Sequence, residues 1–198
     1  MEKLMTTPNY LPPRSVRMRL WGVLLLLALG VPLPALASPP TQAQLPRPTK
    51  ATAPTRMQIP AIGLDMRTVS VGLDKKRQPI VPNHDIGWYN LSAMPGQGDN
   101  IVFWGHVLRF KSAPKIPAPF ARISQLKAGA LIVLTTAGGD QRRYKVVKSI
   151  QVTPDQVKYV LPTGKEQVTL VSCIGAKVIS RGELTKKYRL ITIAEPAP

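Results

Sequence analysis

Two residue types in this chain combine into a recognisable piece of chemistry, a thiol and an imidazole mounted at strand ends. A thiolate attacks carbonyl carbon well once a neighbouring base or cation lowers its pKa. The chain holds one cysteine, Cys173, so no internal disulfide and no cage of cysteines alone can form. Cys173 closes the apolar run Gln167-Val168-Thr169-Leu170-Val171-Ser172-Cys173 and has Gly175 just beyond it. His106 closes another, Ile101-Val102-Phe103-Trp104-Gly105-His106, with a glycine at its side. Sixty-seven residues separate the two in sequence, yet strand ends can be neighbours in a barrel. The competing reading makes Cys173 a small buried hydrophobe, the commonest fate of a free cysteine.

The elements able to position such a pair are strands. Segments 56–62, 67–73, 100–107, 130–136, 142–152, 167–174 and 188–193 are rich in Val, Ile, Thr and Tyr, and Gly/Asp/Pro clusters such as Pro95-Gly96-Gln97-Gly98-Asp99 bound them. Tyr144, Val146, Lys148, Ile150 and Val152 alternate with a more polar set, the period of a strand. Phe120, Ile123 and Leu126 are spaced by three, which predicts one short helix ended by Gly129. This pattern predicts an all-β fold, a closed or nearly closed barrel of about eight strands or a sandwich, with one or two short helices.

Upstream of the strands the sequence reads as an address. Arg14, Arg17 and Arg19 precede an uncharged run from Leu20 to Val31, and Ala35-Leu36-Ala37 offers small side chains for cleavage before Ser38. Residues 1–37 are thus a signal peptide or a short N-terminal membrane anchor, and both place the remainder outside the cytoplasm. Residues 38–55 contain five prolines and few large apolar side chains, a semi-rigid linker, and the folded domain is expected over 56–198. Export weakens the inert reading of Cys173, because an unpaired thiol outside the cell is an oxidation liability. The 27 Lys and Arg against 10 Asp and Glu give a net charge of +17, and removal of residues 1–37 takes four basic residues and one acidic. A surplus of about fourteen positive charges suits a solvated basic surface or attraction to anionic wall polymers or lipid headgroups. Nucleic acid is an unsuitable partner, since the leader carries the domain away from it and no recognition motif is present.

Thr169-Leu170-Val171-Ser172-Cys173 resembles the Thr-Leu-x-Thr-Cys signature of sortases, the cysteine transpeptidases that attach proteins to bacterial cell walls. Gly105-His106 resembles the histidine of that family, and Arg189, opening Arg189-Leu190-Ile191-Thr192-Ile193, resembles its arginine. Met57 to Asp65 is similar to the opening strand and turn, Ile86-Gly87-Trp88-Tyr89 to the segment ahead of the histidine, and Phe120 to Gly129 to the short helix. The resemblance covers nearly all of residues 56–195, in the tone of the class D, E or F enzymes. It implies a sortase-like closed barrel and a sorting-signal substrate of the Leu-Pro-x-Thr-Gly or Leu-Ala-x-Thr-Gly kind. The signal is cut between Thr and Gly, and the acyl group passes to an amine of peptidoglycan or a pilin. It implies catalytic roles for His106, Cys173 and Arg189 and substrate contacts from Trp104, Gly105, Thr169 and Ser172. No cofactor and no metal is expected. Ser172 stands in place of the signature threonine, keeping the hydroxyl and losing a methyl, and Trp104 is bulkier than the small residue expected, which predicts a narrowed groove beside His106.

Other readings fit less well. Papain-like enzymes place cysteine before histidine in the chain, the reverse of the order here, and the Ser-x-Gly-Cys motif of L,D-transpeptidases is absent. The non-enzyme alternative is a catalytically degenerate basic barrel that binds wall polymers. Within the site, Arg181 competes with Arg189 but lies in the polar stretch Ser180-Arg181-Gly182-Glu183, a loop by composition. His84 sits among turn residues and is expected to be solvated, and Leu161-Pro162-Thr163-Gly164 is a loop, not a sorting signal. Asp99, Asp140, Asp155 and Glu166 are too dispersed in sequence to argue for calcium.

Overall fold

The computed structural model describes residues 51–180 and 183–198 of the chain. The proposed leader, most of the linker and Arg181 lie outside them. Eight strands form: β1 (Pro54–Ile59), β2 (Leu64–Val71), β3 (Ile86–Tyr89), β4 (Asn100–Trp104), β5 (Leu131–Thr136), β6 (Gln141–Val152), β7 (Gln167–Ser180) and β8 (Glu183–Pro196). They close into a mixed barrel in the order β1-β2-β3-β4-β7-β8-β6-β5. Two pairs are parallel, β2 with β3 and β4 with β7, and the rest antiparallel. Closure leaves no barrel strand with an unpaired edge along its paired length.

The alternation read from the sequence is what fills the barrel. Met57, Ile59, Ile101, Phe103, Ile132, Leu134, Tyr144, Val146, Val168, Leu170 and Ala194 come from alternate positions of six strands and are all essentially buried. On β7 the inward residues are Val168 and Leu170, so Thr169 and Cys173 belong to the opposite, outer set.

The structure departs from the sequence reading at four places. The helix expected over 120–126 is only a 3-10 turn, Ile123–Gln125, because the run is too short to sustain an α-helix. The linker does not run to residue 55. Strand β1 starts at Pro54, whose carbonyl accepts from the buried Thr68 hydroxyl at 2.6 Å, and the Ala53 carbonyl accepts from the Ala137 amide at 2.8 Å. Four-residue β3, carrying Gly87, is a strand that composition did not mark. Strands β7 and β8 run on well past the expected 174 and 188, making a hairpin in which only residues 181–182 separate them.

Candidate active site

Strand register brings the chemistry together. Strands β4 and β7 are parallel neighbours whose last pair is Trp104 with Val171. His106 and Cys173 each lie two residues beyond that pair, so both leave the barrel at the same end. On the other side of β7, Cys173 is the direct cross-strand partner of Arg189 on β8. Side chains opposite one another in an antiparallel pair share a face with β-carbons about 4.5–5.5 Å apart. One strand end therefore carries the thiol, flanked by the histidine on one side and the arginine on the other.

Each group has its own local anchor. The His106 carbonyl accepts from the Phe120 amide at 2.8 Å, which fixes the backbone where β4 ends. Gly105 is needed beside it, since a β-carbon there would lie 3.1 Å from the Phe120 ring. The His106 ring meets Phe110 edge to face, with centroids 5.0 Å apart. Phe110 in turn meets His84 in the same manner at 5.4 Å. His84 is thus not the solvated loop residue expected: it is half-buried, with Nδ1 enclosed, because Phe110 folds over it. Arg189 is half-buried, and its Nη1 donates to the carbonyls of Lys186 at 3.1 Å and Tyr188 at 3.3 Å.

Beyond Cys173 the hairpin bends. The ladder slips between Ile174 and Lys177, and Gly175 has φ +91°, a conformation that favours glycine. A β-carbon at Gly175 would also sit 2.9 Å from the Tyr188 ring. The Cys173 Sγ lies 4.0 Å from the Oγ1 of Thr185, four residues before Arg189 on β8. A straight strand would carry those four residues about 13 Å along. The bulge therefore curls the hairpin back toward the thiol.

The family model for the sortase domain matches residues 57–197. The chain belongs to the sortase family. It is accordingly a cysteine transpeptidase acting on peptide bonds. Among solved structures it is similar to a lid mutant of sortase A from Corynebacterium diphtheriae, at 22% identity over 77% of this chain and 74% of that one, with a TM-score of 0.58. Sortase C1 from Streptococcus agalactiae gives 22% identity, 73% and 67% coverage and a TM-score of 0.58. Sortase C-1 from Actinomyces oris gives 20%, 73% of each chain and 0.54. At these identities the structures establish the shared barrel. No curated protein sequence matches.

In this sortase the four residues expected to touch substrate are all buried. Trp104 is 5% exposed, its indole N–H donates to the Ile80 carbonyl at 2.8 Å, and its ring packs on Tyr89. Its bulk is accommodated by Gly87, directly opposite on β3. Thr169 is fully buried, donating to Asn100 Oδ1 at 2.7 Å. Ser172 pairs with Leu190 and faces inward, its hydroxyl buried without a hydrogen-bond partner among the described residues. Trp104, Gly105, Thr169 and Ser172 thus lie beneath the surface at this end of the barrel.

Asn100, which the sequence did not single out, and two of the carboxylates named above, Asp99 and Glu166, build the wall beside β7. Asn100, 2% exposed, donates through Nδ2 to the carbonyls of Tyr159 and Leu161, both at 3.0 Å, and accepts from Thr169 and Gln167 through Oδ1. Asp99 accepts from the amides of Thr163, Gly164 and Asn100, which hold its carboxyl below the usual range. Glu166 accepts from the amides of Gly96 and Gly98 and, at 2.7 Å, from the Tyr144 hydroxyl. Burial, reinforced by that carboxylate, pushes the Tyr144 phenol up. The loop containing Leu161-Pro162-Thr163-Gly164 is thereby tied to the turn before β4, and a groove of about 400 Å³ opens between them, lined by Leu91, Asn100, Val160 and Pro162 among others. Asp99 and Glu166, 67 residues apart in sequence, serve the same loop as hydrogen-bond acceptors.

Proposed function

We propose that this sortase works outside the cytoplasm, cleaving a sorting signal of the Leu-Pro-x-Thr-Gly or Leu-Ala-x-Thr-Gly kind between Thr and Gly. The released acyl group passes to an amine of the cell wall or of a pilin. The register that sets Cys173 against Arg189, with His106 leaving the same barrel end, carries this reading. The Cys173 thiolate attacks the threonine carbonyl carbon, and the electron pair of the C=O bond moves onto oxygen. The Arg189 guanidinium donates to that oxygen. Collapse of the intermediate breaks the C–N bond, and His106 gives its proton to the departing glycine amine. The acceptor amine then attacks the thioester carbon, His106 takes a proton from the attacking nitrogen, and collapse breaks the C–S bond to expel the Cys173 thiolate.

The leader would deliver the enzyme, and its basic surplus would hold the domain near anionic wall polymers or lipid. Incubation with a Leu-Pro-x-Thr-Gly peptide and triglycine, followed by mass spectrometry, tests the proposal. The expected product is the threonine-ending fragment joined to triglycine; absence of cleavage with either signal type would refute it.

A further inference from the structure

We infer that Thr185 is a further catalytic residue, a hydroxyl donor to the oxygen that becomes negative when Cys173 is acylated. Three observations converge on it. Its Oγ1 stands 4.0 Å from the Cys173 sulfur. The Gly175 bulge, with its positive φ and its close approach to Tyr188, is what folds the hairpin into that position. The Arg189 guanidinium reaches back along β8 to the Lys186 carbonyl, one peptide bond from Thr185. The hydroxyl and the guanidinium thus belong to one short stretch of strand beside the thiol.

The distance has chemical meaning. At 4.0 Å the contact is at the outer limit for a thiol hydrogen bond. When sulfur bonds to a carbonyl carbon, the carbonyl oxygen stands one bond further out, and it can reach the hydroxyl from beside the line that joins sulfur and hydroxyl. A donor for that oxygen must stand about 2.7–3.1 Å from where it comes to rest. A hydroxyl spaced this far from the sulfur leaves room for the oxygen and remains within its reach. It therefore becomes a good donor as the negative charge develops, the condition for lowering a barrier.

The inference rests on Cys173 being the nucleophile of the proposed function, and its test does not require a sorting-signal peptide. Two reagents separate the possibilities. With p-nitrophenyl acetate, the thiolate forms a C–S bond, the C=O pair moves to oxygen, and collapse expels p-nitrophenolate to leave S-acetyl Cys173. With iodoacetamide, sulfur displaces iodide in one step and no oxyanion arises. Thr185→Val in the full chain should slow acetylation about tenfold while alkylation stays within about twofold, and Thr185→Ser should restore acetylation. That loss is smaller than the hundred- to thousandfold typical of a sole dedicated donor, about what a second donor beside Arg189 should give. An equal drop in both rates would place the effect on the thiol itself and overturn the inference, as would two unchanged rates. Failure of the wild-type enzyme to cleave peptides would count against the proposed function while leaving this comparison decided.

Discussion

Replacing Asn100 with alanine should cost far more than one polar side chain usually does. Its amide sits 2% exposed and makes four hydrogen bonds, two to loop carbonyls at 3.0 Å and two from Thr169 and Gln167 at 2.7 and 3.3 Å. A net hydrogen bond is worth about 0.5–1.5 kcal/mol, and a buried partner left unsatisfied costs about 1–3 kcal/mol. Thr169 is fully buried and loses its acceptor outright, whereas the Tyr159 and Leu161 carbonyls can turn toward water. The sum is about 3–5 kcal/mol, which for a barrel of this size lowers Tm by on the order of 10–15 °C. Asn100→Asp keeps the acceptor for Thr169 and sets a carboxylate oxygen against the two loop carbonyls. It should retain the packing beneath β7 and free the loop carbonyls of Tyr159 and Leu161, so that Asn100→Asp melts between Asn100→Ala and wild type. Thermal unfolding by circular dichroism provides the readout. An Asn100→Ala melt within about 3 °C of wild type would refute the reasoning.

Further outcomes follow from the same geometry. A chain beginning at Arg56 loses the Pro54 carbonyl from buried Thr68 and the Ala53 carbonyl from Ala137, so its unfolding free energy should fall by about 2–4 kcal/mol relative to one beginning at Ser38, while one beginning at Thr52 should match it; equal melting of all three would contradict this. Gly87→Ala puts a β-carbon 2.9 Å from the Trp104 ring and from Val71 and should destabilise by about 1–3 kcal/mol, seen in Tm and in the indole N–H resonance that reports the bond to Ile80. Asp99 has its pKa depressed by backbone amides, so its contribution is complete above the unfolded value of about 3.9 and is lost only as pH falls through the lower folded value. The Thr163 and Gly164 amide resonances should therefore inflect below about pH 3.9, and an inflection above it would oppose the assignment.

Much of the barrel was legible because its strands obey a period of two and are long enough to show it. Cys173 and His106 were legible because each closes such a strand beside a glycine, and Arg189 because the motif resemblance extends to the last strand. The burial of Trp104, Thr169 and Ser172 was not legible, for one reason. Sequence gives neighbours along a strand, and only the pairing with Gly87, Asn100 and Leu190 says which faces are already covered. Strand β3 is four residues long with a glycine in it, too short for periodicity to register. Thr185 could not be found by spacing, since its place beside the sulfur depends on a bulge two residues beyond Cys173. Asn100 and Glu166 act through contacts across 59 to 70 residues of sequence, which no local pattern encodes.

The central claim is that Cys173 carries the acyl group and Arg189 steadies the oxygen. It is tested most directly by mass spectrometry of the protein mixed with Leu-Pro-x-Thr-Gly and Leu-Ala-x-Thr-Gly peptides, read for a gain on Cys173 equal to the fragment ending in threonine. Wild type should show the thioester, and Cys173→Ala none. Arg189→Lys should acquire it about a hundredfold more slowly, because lysine keeps the charge and loses the planar fork, with Arg181→Lys close to wild type. Full turnover by Cys173→Ala would contradict the mechanism, and equal losses in the two arginine variants would contradict the role given to Arg189.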